Sequence, residues 1–253
     1  STFSNNSSSF YGKSTFSNNS SSFYGGAIGT YYSLISLNIS KCGFFNNSAI
    51  HGGSLYLSAT IGFGIIAVEN SIFNNNSASA TSGMGGAILF ASSINSNFTN
   101  ISILNNMSFK GGAIYCTLNN DFIAKNCIIY GNTATNGAQV NLFDEASDPS
   151  FINCDLEGGS GAIEANGNFY TGTYTNNIDA NPLFVSPAPG AGSTFTGNYD
   201  WSLQAASPCR NTGNPSGSYP ATDLAGNTRV CGNVIDMGAY EFLPTALPTI
   251  LTA

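Results

Sequence analysis

The chain has 253 residues, of which Asn, Ser and Gly supply 33, 34 and 29, while Asp, Glu, Lys and Arg together make up only 8%, against roughly a quarter in ordinary globular domains. Six Lys and Arg and a formal charge of −7 exclude the cationic surface that holds nucleic acids or anionic membranes. A 42% hydrophobic content with 18 Phe and 12 Tyr supplies enough apolar surface for a core, which sets the chain apart from disordered polar sequences.

The charge is uneven. Residues 1–126 carry Lys13, Lys41, Lys110 and Lys125 against Glu69 and Asp121, whereas residues 127–253 carry Arg210 and Arg229 against eleven acids, so the two halves are expected to differ in structure. No apolar run approaches the ~18 residues of a membrane span. The chain opens on Ser1 and is expected to be a processed or trimmed one.

Residues 1–12, Ser-Thr-Phe-Ser-Asn-Asn-Ser-Ser-Ser-Phe-Tyr-Gly, recur unchanged at 14–25 with only Lys13 between. Two readings of segment 1–13 stay open. It is a partial edge coil left by duplication, or a donor strand that pairs with an open edge of another subunit by strand addition, with Phe3, Phe10 and Tyr11 on that interface.

From residue 14 to residue 165 two linked words recur. Paired glycines lead an apolar residue at Gly25-Gly-Ala-Ile28, Gly52-Gly-Ser-Leu55, Gly85-Gly-Ala-Ile88 and Gly111-Gly-Ala-Ile114, with weaker copies at Gly137 and Gly161. Ahead of them stand Phe16-Ser-Asn-Asn19, Phe44-Phe-Asn-Asn47, Phe73-Asn-Asn-Asn76, Ile103-Leu-Asn-Asn106 and Ile129-Tyr-Gly-Asn132. Units of 24–33 residues poor in helix formers and rich in Ser, Asn and β-branched residues are not helical repeats. Stretches such as Ser33–Ile39 and Asn97–Ile103 instead read as short strands with one buried face.

The expected fold is all-β: a right-handed parallel β-helix of about six coils with a β-rich C-terminal capping segment. Coils stack about 4.8 Å apart, so each side chain lies over its counterpart one period on. Columns of Asn then bond as ladders, columns of Phe and Ile pack as a core, and columns of charge repel. The aligned motifs place Ser14, Cys42, Ser71, Ser102, Cys127 and Cys154 in one column of small residues.

Residues 166–242 form the expected cap and 243–253 an apolar Pro/Thr tail, with Leu247, Ile250 and Leu251 as further candidates for an assembly interface. Cys209 and Cys231 flank a Gly/Pro-rich loop and are an expected disulfide; Cys127 and Cys154, one period apart, are either a second, the favoured reading, or buried thiols. Partners for Cys42 and Cys116 are not specified. Asn6, Asn38, Asn75, Asn97 and Asn106 begin Asn-x-Ser/Thr triplets and are candidate glycan acceptors, although this composition generates such triplets by chance.

Paired glycine followed by Ala-Ile, with Phe-x-x-Asn upstream, resembles the repeat of polymorphic outer-membrane proteins and related bacterial right-handed β-helix surface proteins, over residues 14–165. Asp200-Trp-Ser-Leu-Gln204, Ser207-Pro-Cys209, Asp223-Leu-Ala-Gly-Asn227 and Asp236-Met-Gly-Ala-Tyr-Glu241 resemble the terminal segment of secreted β-helix proteins. The resemblance implies an extracellular or cell-surface location and an adhesive or structural role, and it brings no catalytic residue set.

Polysaccharide lyases and hydrolases share such folds, and they need clustered carboxylates with a basic partner. Acids are sparse in the repeats and both arginines lie in the last third. His51, the single histidine, reads as a turn residue. Asp144, Glu145 and Asp148 form either a calcium site or a solvated loop, the latter being favoured. The expected function is therefore non-enzymatic and without cofactors: a secreted structural subunit that binds copies of itself head to tail in a filament. A surface adhesin or glycan-binding module is the alternative, and a lyase the least favoured.

Overall fold

A computed structural model describes residues 2–3 and 7–10 as backbone, and residues 14–30, 36–59, 65–92, 94–192, 198–217, 219–231 and 233–244. A representative coil runs through Ile88–Phe90, Asn95–Thr99, Ser102–Leu104 and Met107–Lys110. Each strand pairs in parallel with its counterparts one coil before and one coil after: Ile88 lies beside Leu55 and Ile114, Phe98 beside Val68 and Ala124, and Ile103 beside Phe73 and Ile129. The result is four parallel sheets, here I to IV in order along a coil, with seven, seven, six and four strands. The chain is a β-solenoid, and its one described helical piece is the 3-10 turn Gly159–Ala162.

Stacking explains the repeated words residue by residue. Phe16, Phe44 and Phe73 lie face to face, with centroids 4.7 and 4.6 Å apart, because the rings inherit the strand spacing. Ile103, Ile129 and Leu156 continue that column. In the Asn-Asn pairs the two residues do different work. The first, at Asn18, Asn46, Asn75 and Asn105, turns the corner with φ between 53° and 56°, a left-handed conformation that Asn tolerates better than most side chains; Gly131 takes this place in the next coil with φ 69°.

The second Asn builds a ladder, exposed at Asn19 and buried from Asn47 to Asn132. Asn19 donates to Asn47, Asn47 to Asn76, Asn76 to Asn106 and Asn106 to Asn132, each Nδ2 to Oδ1 at 2.8–2.9 Å. Each Oδ1 also accepts the backbone N–H of the preceding Asn. Buried amides are thereby satisfied without a charge. Asn132 passes the chain to Gln139 and Gln139 to Glu157, at 2.8 and 2.7 Å.

The paired glycines also divide their roles. Gly85 has φ 67°, while a Cβ on Gly86 would fall 2.2 Å from the Gly112 carbonyl oxygen of the next coil. The first glycine supplies the turn and the second lets two backbones approach.

The duplicated words occupy different sheets. In the first copy Thr2–Phe3 pairs with Gly29 and Thr30 in sheet I and Ser7–Phe10 with Ser36–Ile39 in sheet II. In the second, Ser14–Ser17 pairs with Cys42–Phe45 in sheet III, and Ser20 and Tyr24 bridge to Ser48 and His51. Two identical half-coils thus follow one another around the first coil, and the first copy lies on its own chain.

Two expectations shift in register. Ser102 pairs with Ile72 and Ile128 and is not in the cysteine column; Ile101 precedes it there, since a one-residue offset sends a strand side chain to the opposite face. Strand pairing also passes residue 165, because Tyr174–Thr175 pairs with Phe151 and Ile152, and Ile178 bridges Asp155. Among the described residues of the remaining segment, from about 179 to 244, the one pair of strands is the short antiparallel Phe184–Ser186 with Asp200–Leu203. It runs along the outer face of sheet III as a lateral strap.

Candidate functional site

Sheets II and III differ on their outer faces. Asn95–Thr99 of sheet II alternates exposed and buried residues, as a half-solvated strand should, whereas Ile72–Asn74 and Ser102–Leu104 of sheet III are buried at every position. The residue between the aromatic and the Asn pair points outward in sheet III, and it is Phe45, Leu104 or Tyr130 in three of the coils. Ile72, Leu104 and Ile128 pack against Phe184, Trp201, Leu203, Cys209 and Met237 of the strap in a second core.

Asparagines on the corner entering sheet III hold the strap by its backbone. Asn70, Asn100, Asn126 and Asn153, all with positive φ, donate from Nδ2 to the carbonyls of Thr222, Asp236, Asn214 and Thr212 at 2.7, 3.0, 3.0 and 3.2 Å. Asn126 Oδ1 accepts the Asn214 N–H at 2.7 Å. Lys41 donates to the Thr222 hydroxyl and Lys125 to the Ser216 carbonyl. On the opposite corner Asn75 Oδ1 accepts the Gly192 N–H at 2.9 Å. A strap bonded by side chains needs few strands of its own, which accounts for the departure from a β-rich cap.

The strap is closed by a buried ionic cluster. Arg229, fully buried, pairs with Glu241 at 2.9 Å and also donates to the carbonyls of Gly238 and Ala239 and to Asn70 Oδ1. Asp223 accepts the N–H groups of Gly226, Asn227 and Glu241, and Asp236 those of Asn211 and Phe242. These bonds give the terminal words 223–227 and 236–241 a structural role. Burial, joined by the Asp236 charge and opposed by Arg229, pushes Glu241 up to about 7. Asp155, fully buried below the strap, is likewise raised to about 6 by burial and accepts the Cys209 thiol at 3.1 Å.

Between sheet III and the strap lies a cleft of about 340 Å³. Leu104, Asn105 and Tyr130 form its solenoid wall, and the turn Asn181–Phe184, Trp201 and Gln204 its strap wall. Phe184 and Trp201 meet edge to face with centroids 5.7 Å apart.

The expected sites fare unequally. All six cysteines are free thiols. The Cys209–Cys231 bridge is not formed, since Cys209 is buried against Asp155 while Cys231 is exposed. Cys127 and Cys154 do lie in one interior column, but each thiol donates to a backbone carbonyl, Lys125 at 3.2 Å and Ala124 at 3.4 Å, and burial raises the Cys127 thiol well above its ordinary range. Among the acceptor candidates Asn97 is exposed on sheet II and Asn38 half-buried. Asn106 is fully buried in the ladder and Asn75 is buried while holding the strap, so a glycan on either excludes these contacts.

Asn6, Tyr11, Leu247, Ile250 and Leu251 lie outside the described residues, as do the side chains of Phe3 and Phe10. His51 sits on a corner with its ring 5.7 Å from that of Tyr24. Asp144, Glu145 and Asp148 accept bonds from Asn119, Asn168 and Thr171 within and beside their loop. The second core and the cleft escaped the sequence reading. Their signal was the run of consecutive apolar residues at Ile128-Ile-Tyr130 and Ile103-Leu104, where a solvated sheet would alternate.

Residues 13–31 match the Chlamydia polymorphic membrane protein repeat, the stretch that holds Phe16-Ser-Asn-Asn19 and Gly25-Gly-Ala-Ile28. No curated protein and no solved structure matches the chain.

Proposed function

We propose that this chain is a cell-surface structural protein whose solenoid continues head to tail into a neighbouring copy, forming an extracellular filament. The repeat match and the β-solenoid support the surface location. The observation that carries the assembly is the way the coil stack is left. After Ile178 the chain turns back along sheet III, leaving Ile163–Glu164 and Tyr174–Thr175 as terminal strands, each paired on one side. Such edges are templates for another strand. Close to them Phe169 is 94% exposed.

The last coils carry Asp144, Glu145, Asp148, Glu157 and Glu164, whereas no acid precedes Glu69. A difference in charge between the two ends favours head-to-tail over head-to-head contact, and a heterologous contact of this kind grows into a filament. Negative-stain microscopy with light scattering is the test. Filaments that shorten on Phe169→Ser or on deletion of residues 1–12, and that weaken with salt, support the reading; monomers at every salt and protein concentration overturn it.

A further inference from the structure

We infer that the cleft between sheet III and the strap is a binding site for a neutral saccharide unit. Its volume of about 340 Å³ is that of a small-ligand pocket, and its walls combine aromatic rings with amides. The half-exposed Tyr130 offers apolar ring surface to the C–H face of a sugar, backed by the buried Phe184 and Trp201, while Asn105, Asn181 and Gln204 offer carboxamide groups suited to hydroxyls.

The strap half of the site is held in place. Gln204 donates its backbone N–H to the Leu183 carbonyl at 2.9 Å and its Nε2 to the Phe184 carbonyl at 2.8 Å, and Asn181 Oδ1 accepts the Leu183 N–H at 2.9 Å. The solenoid half is fixed by Asn105, which donates to Ala188 at 3.4 Å. Neither the Tyr130 hydroxyl nor Gln204 Oε1 bonds to another described residue, so both are available to a ligand. A cleft fixed on both sides loses little entropy on binding.

Charge selects the class of sugar. Among the described residues no carboxylate or cation lines the cleft, but Glu157 accepts the N–H of Gly131, a lining residue, at 2.8 Å, and burial, joined by the Glu157, Asp155 and Asp179 charges, raises the Tyr130 hydroxyl pKa. An acidic sugar would meet repulsion there without a cation to balance it, whereas a neutral one would not. The inference is independent of filament assembly, since the cleft lies on the flank of the solenoid.

Trp201 is the only tryptophan in the chain, so its fluorescence reports on the cleft directly. The full chain is titrated with lactose, cellobiose, chitobiose and digalacturonic acid, following Trp201 emission and saturation-transfer NMR of the sugar. At least one neutral disaccharide is expected to bind, more tightly than the acidic one. Tyr130→Phe is expected to weaken it about tenfold, the cost of one hydrogen bond, with the unfolding midpoint unchanged, and Gln204→Ala, which also removes the bond to the Phe184 carbonyl, to weaken it at least as much. No binding by any neutral disaccharide, equal or tighter binding of digalacturonic acid, or binding that survives both variants overturns the proposal. Phe169→Ser, remote in the coil edge, serves as the control that retains binding.

Discussion

Two cores run side by side through this molecule, one inside the coils and one between sheet III and the strap, and they treat charge in opposite ways. The inner core is built of columns, Phe16-Phe44-Phe73 and Asn19-Asn47-Asn76-Asn106-Asn132, whose buried polar groups are neutral amides. The outer core holds Arg229, Glu241, Asp223, Asp236 and Asp155, all buried. Translation is the cause. Within the stack a charged residue would sit about 4.8 Å from its own copy, a repulsion of roughly 3 kcal/mol per step at a near-surface effective dielectric. A strap residue occurs once, so it can be charged and paired. A buried charge in the stack is admitted only where its neighbours one coil away carry none, as at Asp155 beside Ile128 and Ile178.

Breaking the outer core should have the largest effect. Arg229→Ala leaves Glu241, Asp223 and Asp236 buried without their cation, and should destabilise the strap by about 4 kcal/mol. Because the single Trp lies in that core, urea unfolding followed by Trp201 fluorescence should shift to lower urea than the transition followed by far-ultraviolet circular dichroism. Coincident transitions would show that the two cores melt as one unit.

The inner ladder is the next test. Asn76 donates to Asn106 and to the Phe44 carbonyl and accepts twice from Asn47, so Asn76→Ala strands several buried groups and should cost about 3 kcal/mol. Here both probes should move together, since the strap rests on these coils. A shift in fluorescence alone would reverse the assignment of the two cores.

A smaller, pH-dependent effect should separate them further. Folded Asp155 is raised from 3.8 to about 6 and Glu241 from 4.5 to about 7. Each binds its proton more tightly folded than unfolded, so its contribution is full below the unfolded pKa and is lost as pH rises through the folded one. Stability of the outer core should therefore fall by on the order of 2 kcal/mol between about pH 5 and about pH 8. Asp155→Asn should flatten part of that slope; an unchanged urea profile from acid to neutral pH would contradict it.

Much of the solenoid was readable from residues alone. Gly85-Gly86 and Asn105-Asn106 are chemical requirements of a corner, a close backbone approach and an inward amide, and each repeats because each coil has the same needs. Low charge followed from the same stacking. The site was less legible. The outer core joins Ile72 to Trp201 and Asn70 to Arg229, pairs more than a hundred residues apart without a shared motif. The terminal words looked like a cap because nothing local tells a segment that closes an end from one that lies along a side. The cysteine pairs illustrate the same limit: Cys127 and Cys154 share a column as their spacing implied, but Cys209 finds Asp155, a partner set by where the strap lands.

The sequence by itself determined that this protein is a stack of β-coils with neutral columns, because a periodic chain must be compatible with its own copy at every step. Tertiary structure decided which face is covered. Residues 1–12 and 14–25 make the point in miniature, since the same twelve letters lie in sheets I and II the first time and run on from sheet III the second. Their side chains are identical, and only the place each copy reaches along the coil assigns it a face and a neighbour.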